Sequence, residues 1–370
     1  MQPEGNQKAL WHKKQIHKEE NAMNVICNRN CVDAVGGKCV RKELEIGKTG
    51  LCQNFVEFRE FYREDNVVVM DKNGIPSIMV KFTRKPDVKP IHPMFIIGGE
   101  VYDEIFISKY KNCIINGLAY SLPMQKPATD VTLEEAEKAC FDKGEGWHLM
   151  TAMEHGFLAN YSLENGTLPH GNTNYGKYHG NPEERCETYD GSRMLTGTGP
   201  DTWTHDHTAF GVEGLCGDIY EWMRGMRLMD GKLEIANNND AAMPIDLSEN
   251  SSLWLPVEVG EESVYLVAED GEIRFTTEEP EDTDYDGCRW KDVKFDFNLP
   301  EVMKNLGLFV GEPETYIYAD MNGERLPFCG GGWFDGSDAG VFYVYLYNPR
   351  SLSDGFVGFR SAYYRKRKTE

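Results

Sequence analysis

Ten cysteines are the first residues of this 370-residue chain whose type could do chemistry. Cys27, Cys31, Cys39 and Cys52 fall close together near the start. Four thiolates at tetrahedral corners can hold a structural zinc that staples a segment too short for its own core. The spacing lacks the paired C-x-x-C knuckles of such sites, so ordinary free thiols are the favoured reading and the metal stays unassigned. The other six, Cys113, Cys140, Cys186, Cys216, Cys288 and Cys329, are scattered as in a chain kept reduced rather than in a disulfide scaffold. His205-Asp206-His207 puts two imidazoles on alternate positions, an arrangement a metal can use, although a histidine-bearing loop beside Trp203 is more often structural. The acidic run from Glu278 to Asp286 lacks the D-x-D-x-D-G spacing of a calcium loop and reads as a solvated loop. No cofactor is expected.

A second kind of chemistry, recognition by contact, is concentrated in residues 328–364. This stretch carries eleven aromatics and five charges but no lysine. Glycine and serine supply adaptable backbone there, and phenylalanine and tyrosine supply rigid contact area at small entropic cost. In a strand over Val341 to Tyr347, Phe342, Val344 and Leu346 face a core while Tyr343, Tyr345 and Tyr347 share the opposite face. A tyrosine row of that kind anchors a protein target. Otherwise it packs against an insertion elsewhere in the chain or a neighbouring subunit.

Charge and hydropathy narrow the partners. With 39 Lys and Arg against 60 Asp and Glu, the net charge of −21 repels phosphate backbones, so no nucleic acid is expected. No apolar run approaches eighteen residues, so no membrane span is expected. Met1 to Asn21 is polar and holds no readable export signal.

The elements that must position these residues follow from local pattern. Residues 1–65 form an N-terminal region and 66–370 the main domain, with an insertion over 228–325. Val67–Met70 and Ile78–Phe82 flank an Asp71-Lys72-Asn73-Gly74 turn and predict a hairpin. Residues 95–97 and 104–110 predict another strand pair. Thr132-x-x-Glu135 and Thr151-x-x-Glu154 are capping boxes that open two helices. Residues 164–200 read as a long loop, and 264–267 and 272–276 as strands within the insertion.

Gly214-Leu215-Cys216-Gly217-Asp218-Ile219-Tyr220-Glu221-Trp222, Gly330-Gly331-Gly332-Trp333 and Val357-Gly358-Phe359-Arg360 resemble, in order, the G-N-V-W-E-W, G-G-S-W and G-F-R signatures of the C-type-lectin-like fold in its formylglycine-generating-enzyme branch. That branch includes the variable proteins of diversity-generating retroelements, among them phage tropism determinants. The resemblance spans roughly 78–364 and implies an α+β, C-type-lectin-like fold of two helices, short antiparallel sheets and much irregular loop, with a β-rich insertion. Glu221, Trp222, Gly331, Trp333, Gly358, Phe359 and Arg360 are its scaffold, with Trp222 and Trp333 filling cores and Arg360 forking onto a buried carboxylate, Glu221 the natural partner. Formylglycine-generating enzymes need a cysteine pair after G-G-S-W, and residues 334–364 contain none. An oxidoreductase with a displaced thiol site, Cys329 with Cys216 or Cys288, is the rival reading. Variable proteins diversify by adenine-directed changes at AAC-type codons, and Phe334, Asp335, Asp338, Tyr345, Tyr347, Leu352, Asp354, Gly355 and Phe356 are all reachable that way. The resemblance therefore implies a non-enzymatic protein that binds a protein or cell-surface ligand through these nine residues. It would be displayed on a phage virion or bacterial surface, with a homo-oligomer as one route to avidity.

Overall fold

The computed structural model describes residues 34–35, 38–39, 62–86, 89–269, 271–280, 284–308 and 314–365. The chain divides into two units, Met1–Glu57 and Phe58–Glu370. In the first, Ala34–Val35 pairs antiparallel with Lys38–Cys39. The other members of the cysteine cluster, Cys27, Cys31 and Cys52, lie outside the described residues, as do Glu281, Asp282 and Thr283 of the acidic run. No helix among the described residues is long and apolar enough to cross a membrane.

The second unit is α+β, with three helices and many strands among its described residues. It opens with the expected hairpin, β1 (Tyr62–Met70) and β2 (Pro76–Arg84). The Asp71 carboxylate closes the turn by accepting from the amides of Asn73 and Ile75, both at 2.8 Å. The second expected pair does not form. Gly98 and Gly99, at φ 60° and 75°, reverse the chain at once, so Ile96–Ile97 pairs with Glu100–Val101. Strand β3 (Glu104–Ser108) is thereby freed to pair with β2 and with the C-terminal strand Ser361–Tyr364.

Helix α1 (Leu133–Phe141) and helix α2 (Ala152–Asn165) both begin with complete capping boxes, Thr132 with Glu135 and Thr151 with Glu154. Between them β4 (Trp147–Leu149) completes a five-stranded sheet in the order β4, Ser361–Tyr364, β3, β2, β1. Beside it Lys143 is wholly buried, its ammonium 3.3 Å from the Trp147 ring centroid and donating to Ser77 Oγ at 2.8 Å. The long loop after α2 is irregular apart from a small ladder between Lys177–Tyr178 and Asn181–Arg185. The buried Asp218 pins it by accepting from Asn172 Nδ2 and the Met194 amide.

The larger sheet carries the site. Its strands include β5 (Tyr220–Trp222), β6 (Met226–Met229), β7 (Lys232–Ile235), β8 (Tyr265–Glu269), β9 (Glu272–Thr276), β10 (Tyr285–Arg289), β11 (Tyr316–Asp320), β12 (Glu324–Gly330) and β13 (Gly340–Asn348). The main path runs β10, β11, β13, β12, β6, β7, β8, β9 and ends on the short strand Lys294–Phe295. Strands from 228–325 thus join the same sheet on both sides of β12 and β13. Cys288, Ile317, Ala319, Val344 and Leu346 point into the main apolar core with Leu228, Leu266, Phe275 and Trp290. The opposite face, with Tyr343, Phe328 and Trp222, packs on α1.

Candidate functional site

The three glycine-bearing motifs meet in one place. Arg360 is fully buried, and its fork engages Glu221 through Nε to Oε2 at 3.0 Å and Nη2 to Oε1 at 3.1 Å. Its remaining donors go to the carbonyls of Ser108, Lys109 and Glu213. Lys111 Nζ lies 3.8 Å from the same carboxylate and donates to the carbonyls of Gly217 and Ile219. Strand β5 pairs with β12 and, in parallel, with Val357–Gly358, which fixes Glu221 opposite Gly358. Trp222 fills the core against Phe328 and donates its indole N–H to the Val131 carbonyl. Trp333 does not fill a core. It is half-buried in the loop after β12, with the Arg193 guanidinium 5.3 Å from its ring centroid. The loop turns too sharply to carry the indole inward: Gly331 sits at φ 83°, and a Cβ there would lie 2.6 Å from Ala339.

Around this frame an aromatic face is assembled. Tyr220, on β5, is its hub, with ring centroids of Phe334, Tyr343, Tyr345 and Phe356 between 5.5 and 6.5 Å away. Strand register carries the face sideways. Phe328, Tyr345 and Tyr318 are direct cross-strand neighbours on β12, β13 and β11, stacked with interplanar angles of 10° and 12°. Gly287 of β10 is the next residue in that row, and a Cβ there would lie 2.2 Å from Tyr318 Cδ2, so the tyrosine ring lies where a side chain would stand. Tyr347 then contacts Tyr318 and Tyr285, at 5.6 and 5.9 Å.

Polar groups stiffen the hub. Asp335 accepts from the Tyr220 hydroxyl at 2.5 Å and from the Gly332 amide at 2.8 Å. Burial pushes its carboxyl above the usual carboxylate range. Burial also raises the phenols of Tyr220 and Tyr343, and raises that of Tyr345 to about 12, so all three keep their protons at neutral pH.

The nine residues named for recognition are each half-buried or exposed, with Phe334 45% accessible. The scaffold residues Glu221, Trp222, Gly331, Gly358, Phe359 and Arg360 are all buried. Phe334, Asp335, Tyr345, Tyr347 and Phe356 lie on the aromatic face, and Leu352 packs beside Phe356 against the second core cluster. Asp338 pairs with Arg289 at 2.7 Å. Asp354 and Gly355 stand to one side, their carbonyls accepting from the Asp130 amide and from Arg193. The expected tyrosine row is shorter than the alternation implied: Tyr343 is buried because Tyr220 and Trp222 of β5 close over it. Tyr220, Tyr285 and Tyr318 were missed. For Tyr220 and Tyr318 the signal was the alternation of Tyr220 with Trp222 and of Tyr316 with Tyr318, each pair sharing one face of a strand, whereas Tyr285, followed on its face by Gly287, carried none.

The thiols of the rival reading are placed differently. Register sets Cys288 and Cys329 in one row with Ile317 and Val344 between them. Three strand spacings separate them by about 14 Å. Burial pushes the Cys216 thiol up to about 12 and raises that of Cys329 as well, so neither is a thiolate at neutral pH. His205 and His207 bond to the Val212 amide and the Leu168 carbonyl. A groove of about 570 Å³, lined by Ile114, Ile115, Met124 and Lys126 among others, involves none of the nine residues. No family model and no curated protein matches this chain.

Proposed function

We propose that the chain is a target-recognition protein of the C-type-lectin-like fold, a variable protein of the retroelement type, that binds a surface ligand through Phe334, Asp335, Asp338, Tyr345, Tyr347, Leu352, Asp354, Gly355 and Phe356. The observation that carries this reading is the partition of exposure. Each of the nine named residues is half-buried or exposed, while the signature residues, Trp333 excepted, are buried beneath them. Side chains can then be exchanged on top without disturbing the Arg360–Glu221 frame. Binding would bury Phe334, Tyr347 and Phe356 in a partner's pockets, with the half-buried aspartates selecting charge. Display of several copies on a virion or bacterial surface would raise avidity. The test is the gene itself. A near-identical template repeat is expected nearby, with mismatches that coincide with adenines at these nine codons. Mismatches at residues 330–333 or 358–360 instead would overturn the proposal.

A further inference from the structure

Away from the aromatic face, Asn66 and Lys109 bring an amine against an amide. Asn66 lies on β1 opposite Val80 of β2, and Val80 pairs in turn with Ile107 of β3. Lys109 stands two positions after Ile107, and its backbone amide donates to the Ile78 carbonyl of β2 at 3.0 Å, which keeps the alternation going. Asn66, Val80, Ile107 and Lys109 therefore share one face of the sheet. The lysine side chain crosses β2 toward β1, two strand spacings or about 9.5 Å away, and Nζ donates to Asn66 Oδ1 at 2.9 Å. Nζ also donates to the Ala209 carbonyl, and Asn66 Nδ2 donates to the carbonyl of Phe210, the next residue. Two consecutive carbonyls of one loop thus hold the amine and the amide together. That loop is itself braced, because Asp206 accepts from Thr204 Oγ1 and from the amide and hydroxyl of Thr208. Lys109 is buried, whereas Asn66 is open to solvent. Burial lowers the Lys109 ammonium against the opposing charges of Glu213, Asp206 and Asp201, of which Glu213 acts most strongly. Glu213 is buried too, and its backbone amide donates to the Lys109 carbonyl at 2.9 Å. Burial pushes its carboxyl up to about 7.

We propose that Lys109 and Asn66 are the two halves of an autocatalytic isopeptide cross-link, with Glu213 as the group that moves the proton. The cross-link does not depend on the recognition reading. A lysine attacks only as the free amine, and burial beside a carboxylate that takes its proton supplies that form. No ion pair joins Glu213 to Lys109 among the described residues, so the proton passes through one water. The Nζ lone pair then attacks Asn66 Cγ, the carbon one bond beyond the oxygen that Nζ already contacts, and an Nζ–Cγ bond forms. Glu213 returns the proton to Nδ2, the Cγ–Nδ2 bond breaks and ammonia leaves, carrying off in solution the second proton that Nζ sheds. An ammonium and an amide thereby become a secondary amide and an ammonium ion, with no change of oxidation state. Contact held by the fold replaces a chance encounter, and the exposure of Asn66 gives ammonia its exit. The product ties β1, the edge of the five-stranded sheet, to the end of β3 across β2.

Mass spectrometry of the full chain, purified folded and then denatured, tests it. The mass is expected to fall short of the sequence mass by one ammonia. A tryptic digest is expected to hold one branched peptide in which Lys109, left uncleaved, is joined to the segment that carries Asn66. Lys109→Met is expected to show the full sequence mass, and the branched peptide of the parent chain decides the matter even where that variant does not fold. Glu213→Gln keeps an oxygen acceptor for the Gly199 amide. It is expected to slow joining about 100-fold, read as the fraction joined against time after synthesis. The full sequence mass in the folded parent chain overturns the cross-link. So does an ammonia loss that persists in Lys109→Met, which marks a succinimide at an Asn–Gly pair such as Asn73–Gly74. Joining at the parent rate in Glu213→Gln overturns the role given to that carboxylate.

Discussion

Glu221 serves two buried cations at once, Arg360 through both oxygens and Lys111 at 3.8 Å. Glu221→Gln would leave both without their counter-charge in the interior, so a loss of about 3 kcal/mol is expected, since breaking a buried pair strands an uncompensated charge. Urea unfolding measures it, and a loss below about 1 kcal/mol would show that the carbonyl acceptors suffice. The face residues predict the opposite behaviour. Phe334→Ala should change stability by no more than about 0.5 kcal/mol, as at surface positions generally. Trp222→Ala should cost about 3–5 kcal/mol. If both cost the same, Phe334 is scaffold and not part of an exchangeable surface.

At the level of strands, Gly287 and Tyr318 make one unit. Gly287→Ala forces the Tyr318 ring off its place above β10, and an overpacking cost of about 1–3 kcal/mol is expected. Loss of the Phe328–Tyr345–Tyr318 stack should appear as a change in near-ultraviolet circular dichroism, and an unchanged spectrum would refute the coupling. This unit also marks the limit of what the sequence disclosed. The β1–β2 hairpin, both capping boxes and the alternation of Phe342, Val344 and Leu346 were legible because each depends on residues a few positions apart. So was the pairing of Arg360 with Glu221, because a guanidinium after an apolar strand has few ways to be satisfied inside. The neighbours of β13 were not legible. β11 pairs with it in parallel from 27 positions upstream in the register Ile317 to Val344, and no local pattern specifies such a choice. The membership of Tyr318 in the face follows from that pairing, that of Tyr285 from the pairing of β10 with β11, and the burial of Tyr343 under Tyr220 from the pairing of β5 with β12.

The whole molecule carries a titration that its surface hides. Burial lowers the Lys143 ammonium to about 7, against an ordinary value of 10.5. A base depressed in the folded state adds stability fully above its unfolded value and loses it as pH falls toward the folded one. Stability is therefore expected to decline from about pH 10.5 to about pH 7 through this group. Lys143→Met, similar in shape, should be more stable than the parent near pH 6, with the difference shrinking toward pH 10. Unfolding free energies across that range decide it, and a constant difference would assign the effect to packing.

The C-terminal strand Ser361–Tyr364 lies inside the five-stranded sheet, between β4 and β3, and Arg360 ties it to carbonyls from far upstream. Synthesis must therefore pass through residues 334–356 in frame before that sheet can close. A chain stopped or frameshifted within them never supplies its inner strand and is left to proteases. If residues 334–356 are exchanged as proposed, the fold itself screens the copies: only those read through in frame to Tyr364 can complete the sheet.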